Sequence, residues 1–302
     1  MKVLMIGNSP KVKGGINSVI SQLLSYDWSK AGVCMSFIPT YDGGSAIHKI
    51  IYFGKAYSKI RSYIKKSKPD IVHIHMSYKG SFTRKYMIHK LCKKGGIHDI
   101  LHLHGSEFKN WYDRLSSREK SKVRKLLKEC DEVVVLGNKY DQIVKNIEPK
   151  AKTVIIGNSV RIPEQVVKWD EERFQILFMG VLIKRKGVSN LLQAVKIITD
   201  NDPFAKLHIL IAGAGEAENE LKDVSEKLEI NSIVDFVGWV VGEEKEKMLA
   251  KSQLFVLPSY NEGLPIAILE AISYGLPVVA TNVGDVSSAV HDGENGFYGT
   301  EY

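Results

Sequence analysis

Two glutamates, Glu262 and Glu270, lie eight residues apart in the segment Pro258–Thr281, PSYNEGLPIAILEAISYGLPVVAT. The segment reads as the end of a strand, a loop, a short helix, a second loop and another strand. Pro265 stands where the first helical turn should begin, a position that tolerates the missing N–H. A helix N-terminus offers free N–H groups and the positive end of a dipole to an anion such as a phosphate. Glu262 precedes that end, and Glu270 lies about a turn and a half inside the helix. One carboxylate can meet a hydroxyl beside the phosphates while the other meets a hydroxyl further along. A ligand with a diphosphate in the middle and a sugar at each end, a nucleotide sugar, suits this spacing. The plainer alternative is a buried helix with Glu262 as a capping acid, which accounts for Ile266, Ile268, Leu269 and Ile272. It leaves Glu270 among apolar neighbours, where a carboxylate is rarely buried without a partner.

The elements that must hold these residues alternate between strand and helix. In the first half, strands are expected at Lys2–Ile6, Val33–Ile38, Ile71–His75, Ile100–His104, Glu132–Leu136 and Thr153–Ile156. Helical patterns between them include 16–26, 47–66 and 117–130. In the second half, strands are expected at Gln175–Met179, Leu207–Ala212, Ile233–Phe236, Leu254–Leu257 and Val278–Ala280, with helices near 188–199, 216–228, 243–250 and 265–273. Alternation at this spacing predicts parallel sheets covered by helices on both faces. The units are too numerous for one sheet, so two Rossmann-like domains are expected. Their limits are 1–160 and 174–302, joined by a polar linker at 161–173.

Composition bounds the possibilities. The 302 residues are 44% hydrophobic and 25% charged, as in a globular protein. Cys34, Cys92 and Cys130 are scattered without a CxxC, which predicts a reduced, cytoplasmic setting. The net charge of +8 is uneven: residues 1–160 hold 29 Lys/Arg against 12 Asp/Glu, and 161–302 hold 13 against 22, differences of +17 and −9. A basic half suggests an anionic partner, either a membrane surface or nucleic acid. The stretches SKIRSYIKKSK and SSREKSKVRKLLKEC place lysines and arginines on helices with an apolar stripe, which anionic headgroups attract. No recognised nucleic-acid module is present, so no nucleic-acid partner is expected.

Further residues could carry chemistry. Gly14 and Gly15 follow the first strand in GNSPKVKGG and precede a helix, where backbone can approach a phosphate; an ordinary flexible loop is the alternative. His73 and His75 in DIVHIHMSY, and His102 and His104 in LHLHGSEF, gather near two strand ends, where ligands of open α/β sheets bind. Four histidines make zinc conceivable, but no acid or cysteine completes a known ligand spacing, so no metal is expected. Asp200–Asp202 reads as a turn at a helix end.

The pattern Pro-Ser, Glu-Gly, proline, Glu-Ala and Gly-x-Pro-Val-Val-Ala-Thr resembles the E-x7-E signature of retaining glycosyltransferases of the GT-B fold, family 4. The likeness runs from Met1 to about Phe297. It implies an α/β GT-B chain, two Rossmann-like domains with parallel sheets facing across a cleft. It also implies a hexosyltransferase that needs no cofactor or obligatory metal and takes a nucleotide-diphosphate sugar as donor substrate. Within it, His104 matches the histidine that hydrogen-bonds the donor sugar, with His75 and Glu107 on the acceptor side. Glu262, with the backbone of Gly263 and Leu264 and neighbouring Asn261, would hold sugar hydroxyls, and Glu270 the ribose. FMGVLIKRKG resembles the diphosphate loop: Lys186 matches its lysine, while its arginine is replaced by Val181, so Lys184 or Arg185 would supply the missing charge. Gly14 and Gly15 would approach the same phosphates, and Trp239 and Val240 the base. The glycines of IAGAGEAENEL match a structural turn. By analogy the acceptor is a lipid-linked glycan of bacterial surface-polysaccharide or capsule assembly, with the chain peripheral on the inner face of the cytoplasmic membrane. A nucleotide-sugar epimerase and a non-catalytic nucleotide-sugar-binding protein are the alternatives. The family continues past GENGF into further helices, so the second domain is expected to be short of them.

Overall fold

The computed structural model describes residues 1–164, 174–203 and 205–299. The chain divides into two compact units, Met1–Gly157 and Asn158–Tyr302. Most of the linker expected at 161–173 lies outside the described residues.

In the first unit, β1 (Lys2–Gly7), α1 (Gly15–Ser25), β2 (Cys34–Pro39), α2 (Ala46–Ser67), β3 (Ile71–Met76) and α3 (Gly80–Gly95) are followed by β4 (His98–Leu103), α4 (Phe108–Asp113), α5 (Ser117–Glu129), β5 (Glu132–Val135), α6 (Asn138–Ile147) and β6 (Thr153–Ile155). The strands form one parallel sheet in the order β2-β1-β3-β4-β5-β6. Strands covered on both faces are apolar throughout, and β1 is buried without a break from Val3 to Gly7. Ile60 of α2, Ile88 of α3 and Leu126 of α5 close the core over Leu4, Ile74 and Leu101. Helix α5 begins with a capping box, Ser116 with Glu119, which satisfies two N–H groups at its start.

The second unit contains β7 (Phe174–Met179), α7 (Val188–Asn201), β8 (Leu207–Ala212), α8 (Glu218–Lys227), β9 (Val234–Gly238), α9 (Gly242–Lys251), β10 (Leu254–Leu257), α10 (Ile266–Ser273), β11 (Val278–Thr281) and β12 (Gly296–Gly299). Its parallel sheet has the order β12-β11-β10-β7-β8-β9. Counted within the unit, this is the 3-2-1-4-5-6 arrangement of doubly wound nucleotide-binding sheets. Phe178, Ile209, Phe255, Ile268 and Val278 share its core.

Three local features differ from the expectation. Pro265 is the N-cap of α10 and Ile266 its first helical residue, because the proline is extended (φ −69°, ψ 123°). The GENGF segment supplies a sixth strand, β12, which is short and glycine-bounded and so carries little strand signal. The acidic DND is the last turn and cap of α7, where Asp200 pairs with Lys196 at 2.8 Å.

Candidate active site

Ligands of doubly wound sheets bind outside the strand carboxyl ends, where the strand order reverses. In the second unit that point lies between β7 and β10. The two loops leaving these strands, 180–187 and 258–265, are the diphosphate-type loop and the start of the glutamate segment. They are fastened backbone to backbone: Tyr260 N–H donates to Arg185 O at 2.9 Å. Gly187 is left-handed (φ +66°), and a Cβ there would fall 1.9 Å from Pro258 O. On the other side, Gly284 (φ +58°) brings its backbone against the same loop; a Cβ would sit 2.0 Å from Glu262 O. Asp285 N–H donates to Gly263 O at 2.9 Å, and Asn158 Nδ2 to Leu264 O at 2.6 Å. The loop is thus held from three directions.

The side chains converge accordingly. Glu262 is 6% exposed, and Lys186 Nζ donates to its Oε1 at 2.5 Å. Arg185 Nη1 donates to Asn261 O and stands 3.8 Å from Glu262 Oε2. Lys184 turns away, exposed, toward Glu220 at 3.6 Å. Of the two candidates for the charge missing at Val181, Arg185 is the one beside the glutamate. Glu262 is therefore paired with cations rather than capping the helix. Among the described residues, the N–H groups of Gly263 and Leu264 in the loop have no backbone acceptor, nor do those of Ile266 and Ala267, as the first turn of a helix leaves them.

Glu270 has a protein partner. Lys245 Nζ of α9 donates to its Oε1 at 2.6 Å, with side chains 29% and 17% exposed. Its place among apolar residues thus has a structural explanation beside the ligand one. Trp239 is half-buried. Val240 is 8% exposed and belongs to the core, which leaves its backbone rather than its side chain for a ligand.

In the first unit the strand order reverses between β1 and β3. Gly14 (φ +133°) caps α1, and a Cβ at Gly14 or Gly15 would meet no atom within 4 Å, so this turn is open. Asn17 Nδ2 fixes the preceding loop by donating to Ser9 O at 2.6 Å and to Val12 O. His75 and His102 sit opposite one another in the β3–β4 register. His75 Nδ1 lies 2.8 Å from His104 Nε2, and His73 Nε2 lies 3.2 Å from His102 Nδ1. Burial pushes His73 down to about 4 and, with help from His73, His104 down to about 3. The same cause, reinforced by neighbouring imidazoles, lowers His75 and His102. All four are neutral at physiological pH. Glu107 caps α4 and accepts from Asn110 Nδ2 at 3.3 Å.

Sequence reasoning passed over Lys85. It is fully buried on α3, and its Nζ donates to Thr40 Oγ1 at 2.6 Å, which donates to Gly7 O at 2.9 Å. Burial, and secondarily Arg84, pushes its amine down to about 7. The one signal for it was a lysine at a core-facing position between Phe82 and Ile88.

Residues 159–302 match the family described as Glycosyl transferases group 1, and residues 39–162 match Glycosyltransferase Family 4. The UDP-Gal:α-D-GlcNAc-diphosphoundecaprenol α-1,3-galactosyltransferase of Escherichia coli is 25% identical over 90% of this chain and 72% of its own. An uncharacterized 41.2 kDa protein of the cps region of Klebsiella pneumoniae is 28% identical over 77% of this chain and 66% of its own. For the teichuronic acid glycosyltransferase TuaC of Bacillus subtilis, a putative assignment in its own name, the figures are 26%, 73% and 55%. The chain thus spans between about half and three quarters of these relatives. Among solved structures, Anabaena HepE with UDP and glucose superposes with a TM-score of 0.75 at 15% identity, over 99% of this chain and 86% of that one. The galactosyltransferase WaaB gives 0.69 at 18%, over 100% and 86%. These matches support a group 1 glycosyltransferase, and the chain has the GT-B fold.

Proposed function

We propose that the chain moves a sugar, with retention of configuration, from a uridine diphosphate sugar to a lipid-linked acceptor in surface-polysaccharide assembly. The observation that carries this reading is the Lys186–Glu262 pair, flanked by Arg185, at the N-terminus of α10. A nucleotide diphosphate supplies oxygens for both cations and for the free N–H groups of Gly263 and Leu264. Sugar hydroxyls then supply the donors that Glu262 needs once Lys186 turns to phosphate, and Glu270 takes the ribose hydroxyls beside Lys245. Negative charge grows on the diphosphate as the sugar–phosphate bond breaks, so fixed cations and N–H dipoles stabilise the transition state more than the ground state. From the first unit, His104 is assigned to the donor sugar, His75 and Glu107 to the acceptor side, and the Gly14–Gly15 turn to the phosphates.

The donor base and acceptor draw on relatives: the E. coli enzyme is named for UDP-galactose and a diphosphoundecaprenol acceptor, and HepE binds UDP-glucose. A lipid acceptor also agrees with α2, where Ile47, Ile50 and Ile51 are 72%, 73% and 53% exposed at one-turn spacing. Lys49 and Lys55 lie on the same helix, so anionic lipid can meet an apolar stripe and basic side chains together. Among the described residues no helix is long and apolar enough to cross a membrane, and we assign the chain to the cytoplasmic membrane face.

A panel of nucleotide diphosphates in thermal-shift assays, followed by UDP-sugars with a short polyprenyl-diphosphate glycan, tests the proposal. Stabilisation by UDP, acceptor-dependent transfer and an unchanged anomeric configuration by NMR are expected. Epimerised donor formed without acceptor would overturn it. Val181 favours a second reading, binding without transfer, and stabilisation by UDP with neither hydrolysis nor transfer would establish that one.

A further inference from the structure

We propose that His73, His75 and His102 form a transition-metal site, with Zn2+ as the ion that fits. One nitrogen from each of the three rings lies within 4.8 Å of the others. His75 and His102 are 2% and 6% exposed, and the Nε2 of each is buried without a hydrogen-bond partner. Simple packing does not account for this. The other buried histidines use both nitrogens: His208 meets Gln175 at 3.3 Å and Asp235 at 2.7 Å, and His89 meets Asp99 at 2.6 Å and Glu129 at 3.5 Å. A bare imidazole nitrogen in the interior forfeits a hydrogen bond it had in water, and two together call for a partner that the surrounding side chains do not supply.

The donor set selects the ion class. Neutral imidazole suits zinc, copper and nickel, whereas magnesium and calcium take oxygen. Zinc holds nitrogen at about 2.0–2.1 Å in a tetrahedron, which sets ligand atoms about 3.4 Å apart. The paired strand register fixes the backbone, so binding turns the stacked rings about their side-chain torsions and breaks the contact between His73 Nε2 and His102 Nδ1. An outer partner is already in place: His104 Nε2 lies 2.8 Å from His75 Nδ1. A metal on His75 Nε2 places the proton on Nδ1, which donates it to His104. His104 then carries its own proton on Nδ1, so the metal fixes the tautomer of that histidine. Three protein ligands leave the fourth position to water. The second candidate group, His89, Asp99 and Cys130, is explained by its own bonds, since His89, Lys93 and Cys130 all point to the Asp99 carboxylate.

The test uses tag-free protein stripped with chelator and titrated with Zn2+ against a competing indicator dye, then with Co2+. One Zn2+ per chain and a visible Co2+ spectrum of nitrogen-ligated tetrahedral type are expected. Both should be lost in His102→Gln and in His75→Ala, and kept in His48→Ala and Cys130→Ser. Circular dichroism confirms that each variant is folded. The wild-type stoichiometry and spectrum stand without any variant. Absence of stoichiometric binding, or binding that survives His102→Gln and His75→Ala, would overturn the site. None of these readouts depends on glycosyl transfer.

Discussion

Replacing Lys186 by methionine keeps the chain's bulk and removes its charge from a carboxylate that is 8% exposed in its side chain. Breaking a buried ion pair from one side costs about 3–5 kcal/mol, because the remaining charge stays desolvated. Arg185, 3.8 Å from the other oxygen, compensates in part, so Lys186→Met is expected to cost about 3 kcal/mol. Glu262→Gln strands the lysine, which is 14% exposed in its side chain, and costs about as much. The double variant contains neither charge of the pair and should return to within about 1 kcal/mol of the wild type, a coupling of several kcal/mol. Urea unfolding of the four proteins, followed through the transition that UDP shifts, measures the cycle. Transfer must behave differently. Loss of a cation that stabilises leaving-group charge lowers kcat about 10²–10³-fold, and Glu262→Gln cannot restore it. Additive stabilities would refute the pairing, and recovery of turnover in the double variant would refute the role of Lys186 in the leaving group.

Gly284→Ala places a Cβ 2.0 Å from Glu262 O at φ +58°; a loss of about 2 kcal/mol or more should appear as a lower Tm together with weaker UDP binding, and an unchanged UDP affinity would reject the coupling. Glu270→Ala removes a charged hydrogen-bond acceptor worth about 1.5–3 kcal/mol, so calorimetry should give a UDP Kd raised about 10- to 100-fold. Lys85 titrates near 7 when folded against 10.5 ordinarily. The unfolded chain therefore holds a proton that the folded chain has dropped between these values, and wild-type stability climbs with pH by up to about 1.4 kcal/mol per unit. Lys85→Met is more stable than the wild type at neutral pH and loses that advantage in alkali, and a pH-independent difference in urea midpoints would contradict the assignment. Serine at Ile47, Ile50 and Ile51 should abolish sedimentation with anionic vesicles while leaving UDP binding intact; unchanged sedimentation would remove α2 from the membrane contact.

Much of this was legible before any coordinates. The apolar runs at 3–6, 209–212 and 254–257 announced buried parallel strands because nothing polar interrupts their two faces. Glu262 was legible in the spacing of two glutamates across a loop–helix junction, and Lys186 in the resemblance of its loop to a diphosphate loop, although the 2.5 Å contact between them was not. That pairing depends on tertiary closeness across 76 residues of sequence, which no local period encodes. Lys245 escaped for the same reason: the odd burial of Glu270 demanded a partner, and only the packing of α9 beside α10 identifies it. The side chain of Val240 belongs to the core, a burial that depends on packing its loop sequence does not encode. Lys85 was hidden because a lysine in a basic helix reads as solvated surface.

The mutual neutralisation of Lys186 and Glu262 sets an entry condition for the second unit. A lone cation at a helix N-terminus would attract inorganic phosphate, sulfate and any nucleotide alike. Here an anion that draws the lysine away uncovers a buried carboxylate, and the gain at one group is offset by the loss at the other. Only a molecule that brings negative oxygens and hydroxyl donors in the same visit satisfies both. On the proposed donor binding, the pair would act as a two-key lock, discriminating against common anions by charge rather than by a steric barrier.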